Sequence, residues 1–536
     1  MSKNGIPFKK TGYFSSLICD YLDESPQLTP FYNRYPSIES FKLQIEEKQK
    51  SGYSNISNRA VLVSMLKRQY STLEASLSTL NHIENLSSEN TFTITTGHQL
   101  NLFTGPLYFL YKIISTINLS KVLKKAYPEY HFVPVYWMAT EDHDFEEINY
   151  FNFRGKKIQW NQPLGGAVGE LSTDGLDAVF NLFEMELGTT TNAQKLKQLF
   201  KTAYLEHSNL AKATQYLANE LFKEQGLVVI DANDKALKQL FVPFIKDDLL
   251  NNTAFNQVSQ TNKQLSGIKE KLYNIQVTPR EVNLFYLKEH LRERIVFEDE
   301  KYKVLNTNIV WGKSEILQEI EQHPERFSPN VIMRPLYQEV ILPNLCYIGG
   351  GGEIAYWLQL KSFFNAVNIP FPALLVRNSA LLQSLKQKEK LEKLHISTED
   401  IFLKRHSFIN KKVREISNID IDFSIQKEYL ETQFKALYIL AKQTDKSFVG
   451  AVKAQEKKQL KGLEYLEKRL LKAQKQKLKD EVLRITELQN ELFPNQGLQE
   501  RNTNFSEFYL EYGDILTTTL IENLNPLQQD FVVINL

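Results

Sequence analysis

Two short polar clusters hold most of the chemistry that this 536-residue chain offers. In Gly97-His98-Gln99 a glycine lets backbone approach a ligand and His98 supplies an imidazole, while Thr104-Gly105-Pro106 opens a helix whose first N–H groups attract anions. That combination suits a phosphate, and a plain structural turn is the competing reading. The second cluster, Glu141-Asp142-His143-Asp144, sets three carboxylates beside an imidazole. Such a group is costly to bury unless it pairs, binds a cation or orients a substrate amine. Its plain reading is a helix N-cap, because Asp144-x-x-Glu147 is close to a capping pattern. Ligation of a metal by His98, His143 and one carboxylate rests on proximity alone, and no metal ligand is assigned. Further on, four glycines at 349–352 precede Glu353 without the Lys-Ser/Thr of a Walker loop. Gly349 and Gly350 could bring backbone amides to a phosphate or carboxylate. Tyr356 and Trp357 could stack on a base, although such residues are more often core.

The elements around these clusters place them together. Residues 92–96 alternate as a strand that ends on the first cluster, and residues 132–138 form an apolar run, as in a parallel strand covered on both faces. Between them Leu107, Leu110, Ile113, Ile114 and Ile117 recur at helical spacing, with Lys121, Lys124 and Lys125 before Pro128. Parallel strands joined by a helix end on one edge of a sheet, so His98, Gln99, Asp142, His143 and Asp144 are expected to converge.

The remaining chain divides by pattern. Residues 1–90 read as a helical cover, 91–150 and 226–249 as parts of an α/β core, and 151–225 and 250–329 as insertions. The core is expected to resume at 330–380, with a helix over 354–367 and a last strand over 371–378. Residues 381–495, rich in Lys, Glu, Gln and Leu, read as an antiparallel coiled coil of two long helices. Leu463, Leu466, Leu470 and Ala473 form an apolar seam there that outruns its partner at 424–443, which predicts a homodimer. Residues 496–536 are expected to return to the core, ending in a strand at a sheet edge.

Composition excludes several classes. With 64 Lys+Arg against 63 Asp+Glu, nothing in the balance calls for nucleic acid or an anionic membrane. Cys19 and Cys346 are the two cysteines, in no metal-type spacing, which fits a reducing compartment. No apolar run is long enough for a membrane span or a signal peptide, so a soluble cytoplasmic protein is expected.

A family resemblance joins these motifs. Thr96-Gly97-His98-Gln99 with Thr104-Gly105-Pro106-Leu107, then Glu141-Asp142-His143-Asp144-Phe145-x-Glu147-Ile148-Asn149, then Arg334-Pro335-Leu336-Tyr337-Gln338 resemble the cysteine-adding enzymes of bacillithiol biosynthesis. Tyr347-Ile348-Gly349-Gly350-x-x-Glu353-Ile354-Ala355-Tyr356-Trp357 and Arg377-Asn378-Ser379 extend the match. The resemblance implies a Rossmann-like parallel-sheet core related to class I nucleotidyltransferases, two connecting insertions and a coiled-coil domain through which subunits pair. It implies a ligase that joins cysteine to glucosaminyl malate. Gly97-His98 stands where class I adenylate-forming enzymes keep a His-x-Gly-His signature, here with a single histidine and no Lys-Met-Ser-Lys-Ser loop. Because amide formation from a free carboxylate is uphill in water, ATP is expected as co-substrate, with Mg beside it and no tightly bound cofactor. The expected catalytic residues are His98, Asp142, His143 and Asp144. The expected binding residues are Gly97, Gln99, Thr104, Gly105, Glu141, Gly349, Gly350, Glu353, Trp357, Arg377 and Asn378. Alternatives are a metal-dependent hydrolase or transferase, and a non-catalytic nucleotide-binding assembly protein that works through its coiled coil.

Overall fold

β-branched residues, stiff at χ1, and aromatic ones supply the strands of this chain. The computed structural model describes residues 5–52, 56–162, 165–268 and 273–536. In chain order the strands are β1 (Gly5–Pro7), β2 (Thr91–His98), β3 (His131–Met138), β4 (Tyr150–Phe153), β5 (Lys156–Gln159), β6 (Val228–Asp231), β7 (Leu284–Lys288), β8 (Leu291–Glu298), β9 (Lys301–Val304), β10 (Val310–Trp311), β11 (Phe327–Pro329), β12 (Asn344–Gly349), β13 (Ala373–Val376), β14 (Ser379–Gln383) and β15 (Asp530–Asn535).

The central sheet has the order β13-β12-β2-β3-β6, and each neighbouring pair is parallel. β2 is the middle strand. The chain fills one side of it with β3 and β6, then crosses to the other side with β12. The order therefore reverses between β2 and β12, the place where open α/β sheets bind ligands beyond their carboxyl ends. Alternation along the strands feeds both faces: Val133, Val135 and Trp137 enter one core, and Tyr136 and Met138 enter another with Leu110, Ile113 and Ile114. Those last three belong to the helix Tyr108–Ala126, which packs on β2 and β3.

Some details differ from the sequence expectation and others add to it. The helix expected over 354–367 is two helices, Gly351–Trp357 and Lys361–Ala366. The segment after Asn330 is a helix, Met333–Ile341, that precedes β12. Within the insertion 250–329 the strands β7 to β11 form a separate antiparallel sheet of order β10-β9-β8-β7-β11. The last strand, β15, takes no sheet edge; it lies between β1 and β14 in a three-stranded sheet.

The chain forms two compact units, residues 1–382 with 498–534, and residues 383–497. In the second, the helices Ser424–Ala441 and Lys446–Lys477 pair through Phe434, Ala441 and Val452, and Asp445 caps the second helix by accepting from Ser447 and Phe448 N–H. The long helix stops at Leu478, and Lys479–Leu492 continues as a separate helix. Part of the expected free seam is covered within the chain: Leu470 and Leu471 pack with Ile409 and Val413 of the helix Arg405–Ile416. Among the described residues no helix is long and apolar enough to cross a membrane.

Residues 498–506 belong to the first unit and clamp the loop ahead of the helix Tyr108–Ala126. Asn504 Nδ2 donates to the carbonyls of Phe103 (2.8 Å) and Gly105 (2.6 Å), and Leu107 N–H donates to Thr503 O (2.9 Å). Gly105 sits at φ +63°, where a Cβ would come within 2.7 Å of Asn101 Cβ. Asn504→Leu strands two buried carbonyls and is expected to lower the unfolding free energy by about 2–4 kcal/mol in urea titrations. A loss below about 0.5 kcal/mol, within the range of ordinary surface changes, would show that the loop is held by other contacts.

Candidate functional site

A cavity of about 360 Å³ lies beyond the carboxyl ends of β2, β3 and β12. Because β2 is central, its last residues divide the cavity into two flanks. His98 Nδ1 lies 2.8 Å from the carbonyl of Gln99, a distance that requires the proton on Nδ1. Tyr108 stacks on its ring at 5.3 Å and Phe109 meets it edge-on at 5.1 Å. Burial, with the Lys112 ammonium nearby, pulls the His98 pKa down to about 3. The imidazole is therefore neutral, and its Nε2 is a bare lone pair, buried and without a partner among the described residues. In this state His98 Nε2 accepts a hydrogen bond and offers a phosphate no positive charge.

The flank on the β12 side is cationic. Lys112, from the helix Tyr108–Ala126, reaches the carbonyl of Gly97 (2.5 Å) and Glu353 Oε1 (2.6 Å). Glu353 also accepts from Tyr347 OH (2.7 Å) and Gly350 N–H (3.1 Å). Burial works against the Glu353 charge, but Lys112 and these donors outweigh it and hold the carboxyl below its ordinary range. Arg334 donates to Gln338 Oε1 (3.1 Å) and Tyr356 OH (3.3 Å) and lies 5.6 Å from the Tyr347 ring centre. Two of its five N–H donors are used in this way.

The flank on the β3 and β6 side is acidic. Asp142 accepts from Gln99 Nε2 (2.9 Å) and from His143 N–H (2.8 Å). Burial opposes its charge, yet hydrogen bonds from His143 and Gln99 and the nearby Arg292 keep its pKa at about 2. Glu141 is ion-paired with buried Lys238. Arg292, from β8, lies 3.9 Å from the Phe285 ring centre and donates to His143 Nδ1 (2.6 Å). His143 and Asp144 are largely exposed and do not line the cavity. With Asp142 they offer ligand atoms within 4.8 Å of one another, and His98 is not part of that group. The positive charge already at this cluster is the Arg292 guanidinium.

The other expected binding residues fall into two sets. Gly97, Gln99, Glu141 and Glu353 line the cavity. Thr104 and Gly105 do not; they are locked in the buried loop clamped by Asn504. Gly349 and Gly350 frame the site from behind, with Gly349 O accepting from Arg377 N–H (2.9 Å). Trp357 is fully buried, its ring 4.6 Å from that of Tyr347 and packed with Phe371, so of the pair Tyr356 and Trp357 only Tyr356 lines the cavity, with Tyr108, Trp137 and Tyr347. Arg377 is buried in an ion pair with Glu500 (2.8 Å), and Asn378 ties Ser115 (2.9 Å) to the carbonyl of Asn525 (2.7 Å). These two residues hold the fold together. Sequence reasoning missed Lys112, Arg292 and Arg334 as site residues. Lys112 had a signal, a lone charge inside the apolar run 107–117, whereas Arg292 in a strand of charged residues had none.

Comparison with known proteins agrees along the whole chain. Residues 1–378 match the family described as Bacillithiol biosynthesis BshC, N-terminal Rossmann-like domain, and residues 380–536 match Bacillithiol biosynthesis BshC, C-terminal coiled-coil domain. A protein of Flavobacterium johnsoniae is 59% identical over 100% of both chains. One of Christiangramia forsetii is 59% identical over 100% of this chain and 99% of its own, and one of Cytophaga hutchinsonii 39% identical over 97% and 96%. All three bear the name "Putative cysteine ligase BshC".

The His98 environment predicts a pH dependence. Unfolded, this side chain titrates near 6.5, and folded it titrates at about 3. The folded state binds the proton less readily, so the stability involved is complete above pH 6.5 and is lost as the pH falls toward 3. By pH 5 the loss is about 2 kcal/mol. Urea unfolding from pH 7.5 to 5 is expected to show that extra loss in the wild type and not in His98→Gln; parallel profiles would mean that His98 titrates as in water.

Proposed function

The chain belongs to the bacillithiol biosynthesis BshC family, and from that premise we propose that it is a ligase joining L-cysteine to glucosaminyl malate through an amide, the last step of bacillithiol synthesis. The observation that carries this reading is the opposition of charge across the cavity, with Arg334 beside the Lys112–Glu353 pair on one flank, Asp142 on the other and the His98 lone pair between them. A malate carboxylate belongs against Arg334, since the Lys112 charge is taken up by Glu353. The glucosamine nitrogen belongs between His98 and Asp142, where an ammonium finds an ionised carboxylate and a free amine finds an acceptor for its N–H.

Amide formation needs an activated cysteine carboxylate. We assign the activation to ATP, through an acyl adenylate or an acyl phosphate, with cysteine as acyl donor and the glucosamine nitrogen as nucleophile. As the C–N bond forms, the nucleotide or phosphate leaves with the electron pair of the broken C–O bond, and the proton released from the nitrogen passes to water. His98 Nε2 accepts a hydrogen bond from the amine and orients it. Asp142 in the cavity wall and the exposed Asp144 beside it would offer the one or two carboxylates needed by a magnesium ion carried with the phosphates, which would supply neutralisation of their charge.

Purified protein given cysteine, glucosaminyl malate and Mg-ATP is expected to yield the thiol product, detected by labelling and mass spectrometry. His98→Ala should lower kcat by about 5- to 10-fold, the scale of one lost neutral hydrogen bond that orients the amine. Absence of both product and nucleotide consumption in the wild type would overturn the assignment.

The coiled coil supports a homodimer. Tyr429, Leu466 and Ile425 are each more than half exposed on the paired helices, and Tyr429 and Leu466 line an open groove between them. Each large apolar side chain gains roughly 1.5–3 kcal/mol on full burial. Because Leu470 packs within the chain, the discriminating variant is Tyr429→Glu/Leu466→Glu, expected to be a folded monomer by light scattering. A wild type that is monomeric at micromolar concentration would end this reading.

A further inference from the structure

Behind the cationic flank runs a buried chain of polar groups that the proposed chemistry does not use. It begins at Lys48 in the helix Ile38–Lys50, passes through Glu339 and Gln338 in the helix Met333–Ile341, and ends at Arg334 in the cavity wall. Lys48, Gln338 and Glu339 are all buried, at 3% exposure or less. Lys48 Nζ lies 2.8 Å from Glu339 Oε2. Glu339 Oε1 accepts from Asn344 Nδ2 (2.6 Å) and Gln338 Nε2 (3.1 Å). Asn344 is fixed in turn, because its Oδ1 accepts from the hydroxyls of Thr93 (3.2 Å) and Thr95 (2.8 Å).

The direction of these bonds is set by chemistry. An ionised carboxylate only accepts, so Gln338 must turn its NH₂ group toward Glu339, and its carbonyl oxygen then faces Arg334. A flipped amide would set oxygen against carboxylate and NH₂ against guanidinium, losing both bonds. Arg334, a pure donor, thus meets an acceptor at 3.1 Å. Its protein partners, Gln338 and Tyr356, are neutral, whereas the Lys112 charge is taken up by Glu353. Among the described residues no carboxylate pairs with Arg334, and its charge is left for a ligand.

We propose that Gln338 is a positioning residue: the Lys48–Glu339 ion pair fixes its amide, and the amide aims Arg334 at a substrate carboxylate. The segment before residue 90 thereby takes part in substrate affinity without touching substrate. This inference rests on the reading of the flank as a carboxylate site.

The test is binding of L-malate to the full-length protein by calorimetry in the wild type, Arg334→Met, Gln338→Met and the double variant. Arg334→Met is expected to weaken binding by about 30-fold or more, in the range of a lost charge-assisted hydrogen bond. Gln338→Met is expected to weaken it about 5- to 10-fold, the scale of one neutral hydrogen bond. In the double variant the Gln338 change should add less than about twofold, because a residue acting only through Arg334 has nothing left to act on. A general loosening of the fold would add independently in both backgrounds. Should Gln338→Met not fold, Lys48→Met/Glu339→Gln replaces it, since a neutral partner no longer dictates which way the Gln338 amide turns. Malate binding that is absent in the wild type or unchanged in Arg334→Met overturns the carboxylate reading and this proposal with it. Loss in Arg334→Met with no loss, or an additive loss, in the Gln338 variant leaves that reading standing and overturns the positioning role.

Discussion

A lysine ammonium inside a protein must meet negative partners, and at the centre of this site Lys112 meets the Glu353 carboxylate and the Gly97 carbonyl. The requirement ties three parts of the chain: the helix Tyr108–Ala126, the end of β2, and the glycine turn that leads from β12 into the helix Gly351–Trp357. It also sets the state of its neighbours. The Lys112 charge helps keep His98 neutral, with a free lone pair, and holds Glu353 ionised. With Glu353 spent on Lys112 and on Tyr347, the guanidinium of Arg334 has neutral protein partners. The polarity of the cavity follows from that single buried pair.

The C-terminal residues contribute to this arrangement from a distance in sequence. The coiled-coil description of the family spans residues 380–536, yet 498–534 pack with the first unit. Glu500 neutralises Arg377 there, and Ala380 N–H also donates to the Glu500 carboxylate (3.2 Å). Arg377 lies 5.0 Å from the ring centre of Tyr108, the ring that stacks on His98. The return of the chain thus buttresses the cavity wall.

Legibility in the sequence followed the range of the interactions. β2, β3 and their connecting helix were readable because alternation and helical spacing are local signals, and the rule for parallel strands brought His98, Gln99 and Asp142 together. The glycine at 105 was readable as necessary and misread in purpose, since its positive φ serves a buried loop instead of a ligand. Trp357 and Arg377 carried the family motif but no mark of whether they face the core or the cavity. Arg292 comes from a separate antiparallel sheet, and no local pattern reports which strand of an insertion will overhang the edge of another sheet. In the coiled coil the seam was visible, while the short helix Arg405–Ile416 that covers part of it was not, because its partner residues lie about sixty positions away.

The place of β2 between β3 and β12 has a consequence for the birth of the protein. β3 follows β2 closely in the chain, but Asn344, which receives the hydroxyl of Thr93, lies 251 residues further on. At about 5–20 residues per second, a ribosome takes on the order of 10–50 s to make that interval. For that time one side of β2 lacks its neighbour while the chain lengthens, the circumstance in which bare strand edges recruit other chains. Along this strand, Thr91, Thr93, Thr95 and Thr96 put hydroxyls where an all-aliphatic core strand would carry only hydrocarbon. The groups that later bond Asn344 and the carbonyl of Ile348 keep the waiting strand wettable.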